Sequence, residues 1–346
     1  MDMSRPTLDA LHADIAPSVT LRAPGRLHLG FLDPAASLGR RFGSLGLVIE
    51  GFETEVALCA ASANQVVAVG LAEQAEIDRA RAHLQRLQQH SGRHAPLHLT
   101  LLRVLPAHAG FGSGTQLALA IGRAFAQWHG LAVTTPALAR WLGRGARSGI
   151  GIAGFEHGGL LVDGGPGGEG AQLTSAPLLA RLPLPEAWRV LVVQDKAQRG
   201  LSGADEREAI ASLAPLPQSL AADICHQVLM RVLPGAAGAE FAPFAAGINH
   251  IQRRLGAHFA PAQGGSAYTS AAVGRLLEAI GAAGHGAAIG QSSWGPTGFA
   301  ILPSQAQAEA VLEAARAANA VAAGLTLNIV AGRNGGATLI DSRRAR

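Results

Sequence analysis

Pro106-Ala-His-Ala-Gly-Phe-Gly-Ser-Gly-Thr-Gln116 places the small residues Gly110, Gly112, Ser113, Gly114 and Thr115 directly before an apolar helical run starting at Gln116. Glycine has no Cβ, so it admits tight turns and lets backbone come close to a ligand. The first turn of the following helix offers unpaired N–H groups at the positive end of the helix dipole. Such a loop can cradle a phosphate. A plain strand-to-helix turn has the same composition, so the anion-binding reading needs support from other stretches.

Support comes from both sides of the loop. Upstream, residues 19–23 alternate like a strand and are closed by Pro24-Gly25; Arg26-Leu-His-Leu-Gly30 then alternates again. That spacing turns Arg26 and His28 to one side, where a cation and an imidazole could hold an anion and move a proton. An ordinary strand with its polar face in water fits the same pattern. Asp33-Pro34 breaks the run. Downstream, residues 144–159 gather Arg144, Arg147, Ser148, Gly149, Glu156 and His157 among six glycines, then enter a strand ending at Asp163. Charged groups and permissive backbone converge there, which marks a site more than a core element.

Composition narrows the field. The 346 residues suffice for two domains, each with its own core. With 48% hydrophobic and 15% charged residues the chain is globular. The net charge of +4 is carried by arginine, Lys196 being the single lysine, and there is one tyrosine. No basic tract interleaves with aromatics, so nucleic acid is not an expected partner. Cys59 and Cys225 lie far apart and outside any CxxC pattern, against a disulfide framework or a structural zinc. The first residues lack the apolar core of a signal peptide and no run is long enough to span a bilayer. A soluble cytoplasmic protein is expected.

Taken in order, the sequence predicts strands over 44–50 and 53–60 paired at Gly51-Phe52, a helix over 73–91 and a strand over 96–105. His83, His90 and His94 read as solvated surface on that helix and just beyond it. His98 reads as structural. Further helices are expected over 136–143, 203–213, 218–232, 241–259, 271–283 and 304–320, the last capped by Ser304. Strands are expected over 188–194, 285–289, 298–302, 325–330 and 337–340. A boundary at Pro183-Leu-Pro185 divides the chain into residues 1–185 and 186–346. The uneven alternation gives an α+β second domain.

Three of these stretches, in this order, resemble the motifs of the GHMP kinase superfamily: residues 23–30, residues 106–115, and the loop 290–298 with Ser292 and Ser293. The resemblance implies a ribosomal-S5-like N-terminal domain and a ferredoxin-like C-terminal domain. Kinases of that superfamily carry an aspartate as base in a Ser-Gly-x-Asp run. Here Ser148-Gly-Ile-Gly151 puts glycine in its place, and glycine cannot take a proton from a hydroxyl. The sequence is more similar to a non-kinase branch, the β-ribofuranosylaminobenzene 5'-phosphate synthases, through residues 25–33, 110–116, 147–151, 155–159, Gly200-Leu-Ser-Gly203 and Glu206.

That resemblance implies phosphoribosyl pyrophosphate and 4-aminobenzoate as substrates, magnesium as cofactor and a homodimer. The loop from Gly110 to Gln116, with Arg147, Ser148, Gly149, Ser292 and Ser293, would then bind phosphate and substrate. Asp33, Glu156 and Asp163 are candidates for a carboxylate beside the ribose carbon, and Asp163 also for magnesium. Arg26, or else Arg147, would position the aromatic carboxylate, and His28 or His157 would manage protons. A kinase using another carboxylate, or a silent binding module in the same cleft, are the alternative readings.

Overall fold

The computed structural model describes residues 17–70, 72–167, 174–200, 208–209 and 212–344. Most of the expected helix over 203–213, the resemblance at Leu201 to Glu206 and part of the turn 164–170 lie outside them. Two sheets carry the described fold. In the first, β1 (Ser18–Asp33), β2 (Phe42–Ala60), β4 (Leu97–Arg103) and β3 (Gln65–Ala68) follow one another, and β5 (Leu160–Asp163) and β6 (Leu178–Leu182) extend it from β2. The last strand, β11 (Thr338–Asp341), returns to pair with β1, so the C-terminal end of the chain closes the first sheet. The second sheet is antiparallel in the order β10 (Leu325–Ala331), β7 (Arg189–Asp195), β9 (Thr297–Leu302), β8 (Ala288–Gln291). That is the ferredoxin-like strand order.

Strand periodicity explains the layers. In β7, Val190 and Val192 face one way and Leu191 and Val193 the other, each set fully buried. The first pair packs with α5 (Gln218–Gln227), α6 (Leu233–Ala237) and α7 (Phe241–Phe259), which lie between the two sheets. The second pair meets α8 (Ala271–Ala282) and α9 (Gln305–Ala317) on the outer side. On the first sheet, α1 (Gln74–Ser91), α2 (Ser113–His129) and α3 (Thr135–Trp141) cover the far face. The central cluster runs from Leu27 and Phe111 to Phe244 and Phe299 without interruption. The two halves share this cluster, and each also has a cluster of its own, one under α1–α3 and one under α8 and α9. Among the described residues no helix is long and apolar enough to cross a membrane.

Pro24-Gly25 and Gly51-Phe52 are not the turns expected. β1 and β2 run straight through them as two long antiparallel strands, with the register shifting between Pro24 and Arg26. The two irregularities lie opposite each other and form a bulge, which bends both strands and keeps them paired. Between Pro24, opposite Glu53, and Arg26, opposite Val48, β2 uses three more residues than β1, and the alternation of β1 reverses across the irregularity. Val19, Leu21 and Ala23 point to the helices of the first layer, whereas Leu27 and Leu29 point to the second half. Arg26 is thereby delivered to the start of α2.

Two further corrections concern helices. α2 begins at Ser113, so Ser113, Gly114 and Thr115 are its first turn rather than loop. Residues 150–157, expected as irregular, form α4 (Ile150–His157) with Ile150, Ile152 and Phe155 buried. Its glycines permit close contact: a Cβ at Gly154 would stand 2.9 Å from Val48 Cγ2. His83 is buried, not solvated, because α1 turns it inward beside Leu84 and Leu87.

Candidate active site

Three segments meet at Gly110. Its carbonyl accepts from Arg26 Nη1 at 2.6 Å and from Ser292 Oγ at 2.7 Å. Ser292 Oγ in turn accepts from the backbone N–H of His28 at 2.9 Å, and Ser293 N–H donates to the His28 carbonyl at 3.2 Å. One fully buried hydroxyl thus ties β1, the loop before α2 and the loop before β9. Gly110 and Gly112 have φ of +95° and +76°, values that L side chains rarely adopt. A Cβ at Gly110 would also lie 2.7 Å from the Ser292 carbonyl. The loop needs glycine at both positions.

Cations surround this junction. Arg26 lies against Gly112, since a Cβ there would be 3.0 Å from its Cζ. Arg144 Nη2 donates to Thr115 Oγ1 at 3.2 Å and crosses over Gly114. Arg147 is near enough for its charge to act on His28. Burial, then Arg26, then Arg147 push the His28 imidazole from 6.5 down to about 3, so it is neutral. Arg144 was in the quoted run but received no role. Its signal was a second arginine three residues before Arg147 in the same glycine-rich stretch.

Other expected site residues have different places. Asp163 is buried and accepts from Gly149 N–H, Ile150 N–H and Ser148 Oγ with one oxygen and from Gly165 N–H with the other. It caps α4, with Ser148 and Gly149 as part of that cap. Burial pushes its carboxyl up against the pull of those donors. Gln116 is also structural: its amide donates to the Gly151 carbonyl at 2.9 Å and ties α2 to α4. Asp33 holds its own turn through Ala35 N–H, Ser37 N–H and Ser37 Oγ, five residues along β1 from His28. Glu156 and His157 are half exposed at the far end of α4, about 10 Å along the helix from Gly149. The fold does not bring Asp33, Glu156 or His157 to the glycine loop.

No group of three His, Cys, Asp or Glu that could hold a metal ion occurs among the described residues. Asp163 and Asp33 are already engaged by backbone and hydroxyl donors, so these carboxylates do not fit a protein-held magnesium site.

The buried imidazoles give a pH prediction. His83 is pushed down to about 4 by burial and by Arg144, Arg86 and Arg79. The unfolded chain takes up protons on His28 and His83 below about 6.5, while the folded chain does so only near 3 and 4. Stability is therefore expected to fall as pH drops from about 6.5 towards about 4, by up to about 1.4 kcal/mol per pH unit for each imidazole. His83→Leu should flatten that slope in urea unfolding. An unchanged slope would show that His83 is not held neutral.

Comparison with known proteins accords with this arrangement. Residues 78–159 match the GHMP kinases N-terminal domain and residues 241–321 the GHMP kinases C-terminal domain. Among solved structures, homoserine kinase from Cytophaga hutchinsonii superposes with a TM-score of 0.67 at 17% identity, covering 94% of this chain and 98% of that one. Mevalonate diphosphate decarboxylase from Staphylococcus aureus gives 0.64 at 14% identity, with 94% and 98% covered. The architecture is the two-domain GHMP kinase fold.

Within that class, a β-ribofuranosylphenol 5'-phosphate synthase from Archaeoglobus fulgidus is 34% identical over 83% of this chain and 88% of its own length. One from Methanothermobacter thermautotrophicus is 30% identical over 81% and 88%. The chain belongs to this synthase family, an enzyme branch of the superfamily.

Proposed function

We propose that this protein transfers the phosphoribosyl group of phosphoribosyl pyrophosphate to 4-aminobenzoate with loss of the carboxyl group. The products are β-ribofuranosylaminobenzene 5'-phosphate, carbon dioxide and pyrophosphate, on the way to a methanopterin-type one-carbon carrier. The observation that carries the reading is a glycine loop flanked by cations, with glycine at position 151. Arg26 and Arg144 lie against the start of α2, and Gly151 stands where the resemblance puts a kinase's aspartate. A Cβ on Gly151 would be 3.0 Å from the Thr115 methyl, so a carboxylate at 151 would face the loop. Its absence speaks against kinase chemistry and supports a site suited to a polyanionic leaving group.

The atoms balance without a protein base. The bond from the ribose anomeric carbon to pyrophosphate breaks and its electron pair leaves with the pyrophosphate. The ring carbon bearing the carboxylate bonds to that carbon, pushed by the para nitrogen. The carboxylate leaves as carbon dioxide and returns its electron pair to the ring. Helix-terminal N–H groups and arginines stabilise the departing charge. Magnesium would come with the diphosphate, as it commonly does with phosphate substrates.

The relatives' names specify a phenol product, which makes 4-hydroxybenzoate the second reading. Both are tested together. Carboxyl-labelled 4-aminobenzoate is expected to release labelled carbon dioxide with phosphoribosyl pyrophosphate and magnesium, without ATP. Release from 4-hydroxybenzoate alone would select the second acceptor. Release from neither, with ATP turnover on a small alcohol, would return the chain to the kinases.

A further inference from the structure

A cavity of about 40 Å³ opens at the junction of β1, α7 and the loop before β9. Phe31, Phe259 and Trp294 contribute aromatic rings to a lining that is otherwise mixed polar and apolar. Phe259 and Trp294 meet with ring centroids 4.8 Å apart, and Phe31 lies 4.5 Å from His28. Most of its polar lining is already engaged. Gln252 donates to the Leu29 carbonyl and accepts from Gln291 N–H, while Gln291 bonds Thr269 N–H, Gln263 and the Ser293 carbonyl. His28 differs. It is 2% exposed, and neither ring nitrogen has a hydrogen-bond partner among the described residues. A buried polar group left unpaired is costly, and one lining a cavity calls for a ligand.

We propose that this cavity seats the aromatic ring of the acceptor, with His28 accepting a hydrogen bond from the para N–H or O–H. The inference rests on the phosphoribosyl-transfer reading and adds to it the place and selectivity of the ring. The carboxylate end then points to Arg26 and the loop, where the ribose carbon must lie. As the ring carbon forms its bond, positive charge develops on the para nitrogen or oxygen. A neutral imidazole accepting from that group stabilises the charge; an imidazolium would oppose it. Size imposes one more condition. A cavity of roughly 150 Å³ holds benzene, so ring entry must displace a wall. Phe259, half-buried just before the short turn Ala260–Gln263, is the wall that the proposal requires to move.

Photolysis of the full-length enzyme with 4-amino-3-azidobenzoate, which keeps the para amine, tests the placement. Adducts are expected on Phe259, Trp294 or their cavity neighbours, suppressed by excess 4-aminobenzoate. Phe259→Ala and Trp294→Leu should raise KM for 4-aminobenzoate about tenfold, with KM for phosphoribosyl pyrophosphate unmoved. 4-Methylbenzoate, without the donor, should compete about tenfold less well than 4-aminobenzoate. Adducts confined elsewhere on an enzyme that releases carbon dioxide overturn the pocket and leave the reaction standing. Protected adducts in the cavity of an enzyme that releases none keep the aryl-acid site and overturn the reaction.

Discussion

Asp163→Ala is expected to lower stability by about 4 kcal/mol and the melting temperature by about 5 °C, with or without magnesium. The carboxylate is 1% exposed and accepts four hydrogen bonds. Alanine strands the N–H groups of Gly149 and Gly165 and leaves that of Ile150 with Ser148 Oγ alone, and each buried orphan costs about 1–3 kcal/mol before relaxation. The start of α4 loosens with them, and Gly151 beside Thr115 with it. Asp163→Asn keeps one oxygen acceptor and should recover part of the loss. The decisive readout is magnesium. A capping residue changes stability and leaves the half-saturating magnesium concentration where it was. A roughly tenfold rise in that concentration in Asp163→Asn, at unaltered melting temperature, would make Asp163 a metal ligand after all.

Much of the site was readable because its signals are local. The glycines at 110 and 112 have to be glycine for conformational reasons, and Arg26 and His28 advertise a polar pair inside an apolar strand. Helix 241–259 was legible to the residue from its apolar spacing. What was not readable depends on pairing across the chain. Pro24-Gly25 and Gly51-Phe52 carry the chemistry of turns, and only their juxtaposition across the ladder makes them a bulge. α4 is poor in helix formers, yet its glycines fit against Val48 and Thr115, contacts that no local pattern announces. Asp163 looked like a ligand because an acid after a strand in a glycine-rich region often is one. Its actual partners are backbone donors 13 and 14 residues earlier and two residues later, with the Ser148 hydroxyl 15 residues earlier. The cavity beside His28 joins two of the motif stretches, residues 23–30 and 290–298, to α7, which carried no motif, so the meeting of the three was not legible.

Arg26 and Arg147 were assigned the same task from the sequence, and the geometry separates them. Arg26 donates to the Gly110 carbonyl and its backbone N–H donates to the Phe111 carbonyl, so it braces the glycine loop while adding charge to it. Ser292 still holds the Gly110 carbonyl when Arg26 is removed, so the loop loosens rather than collapses. Losing one charge-assisted bond of about 1.5–3 kcal/mol corresponds to roughly ten- to a hundredfold. Arg26→Ala is therefore expected to raise KM for both phosphoribosyl pyrophosphate and 4-aminobenzoate by about that factor. Arg147→Ala should raise KM for 4-aminobenzoate alone. Both arginines hold His28 neutral by repelling a proton from it, although burial contributes more. In either variant the His28 imidazole rises from about 3 towards 6.5, and the acid limb of kcat/KM shifts to higher pH. That shift separates an electrostatic role from a merely structural one, because a loosened loop lowers activity without moving the limb. An effect of Arg26→Ala on the aminobenzoate KM alone would refute the brace. An unmoved acid limb in both variants would show that neither charge reaches His28 in the working enzyme.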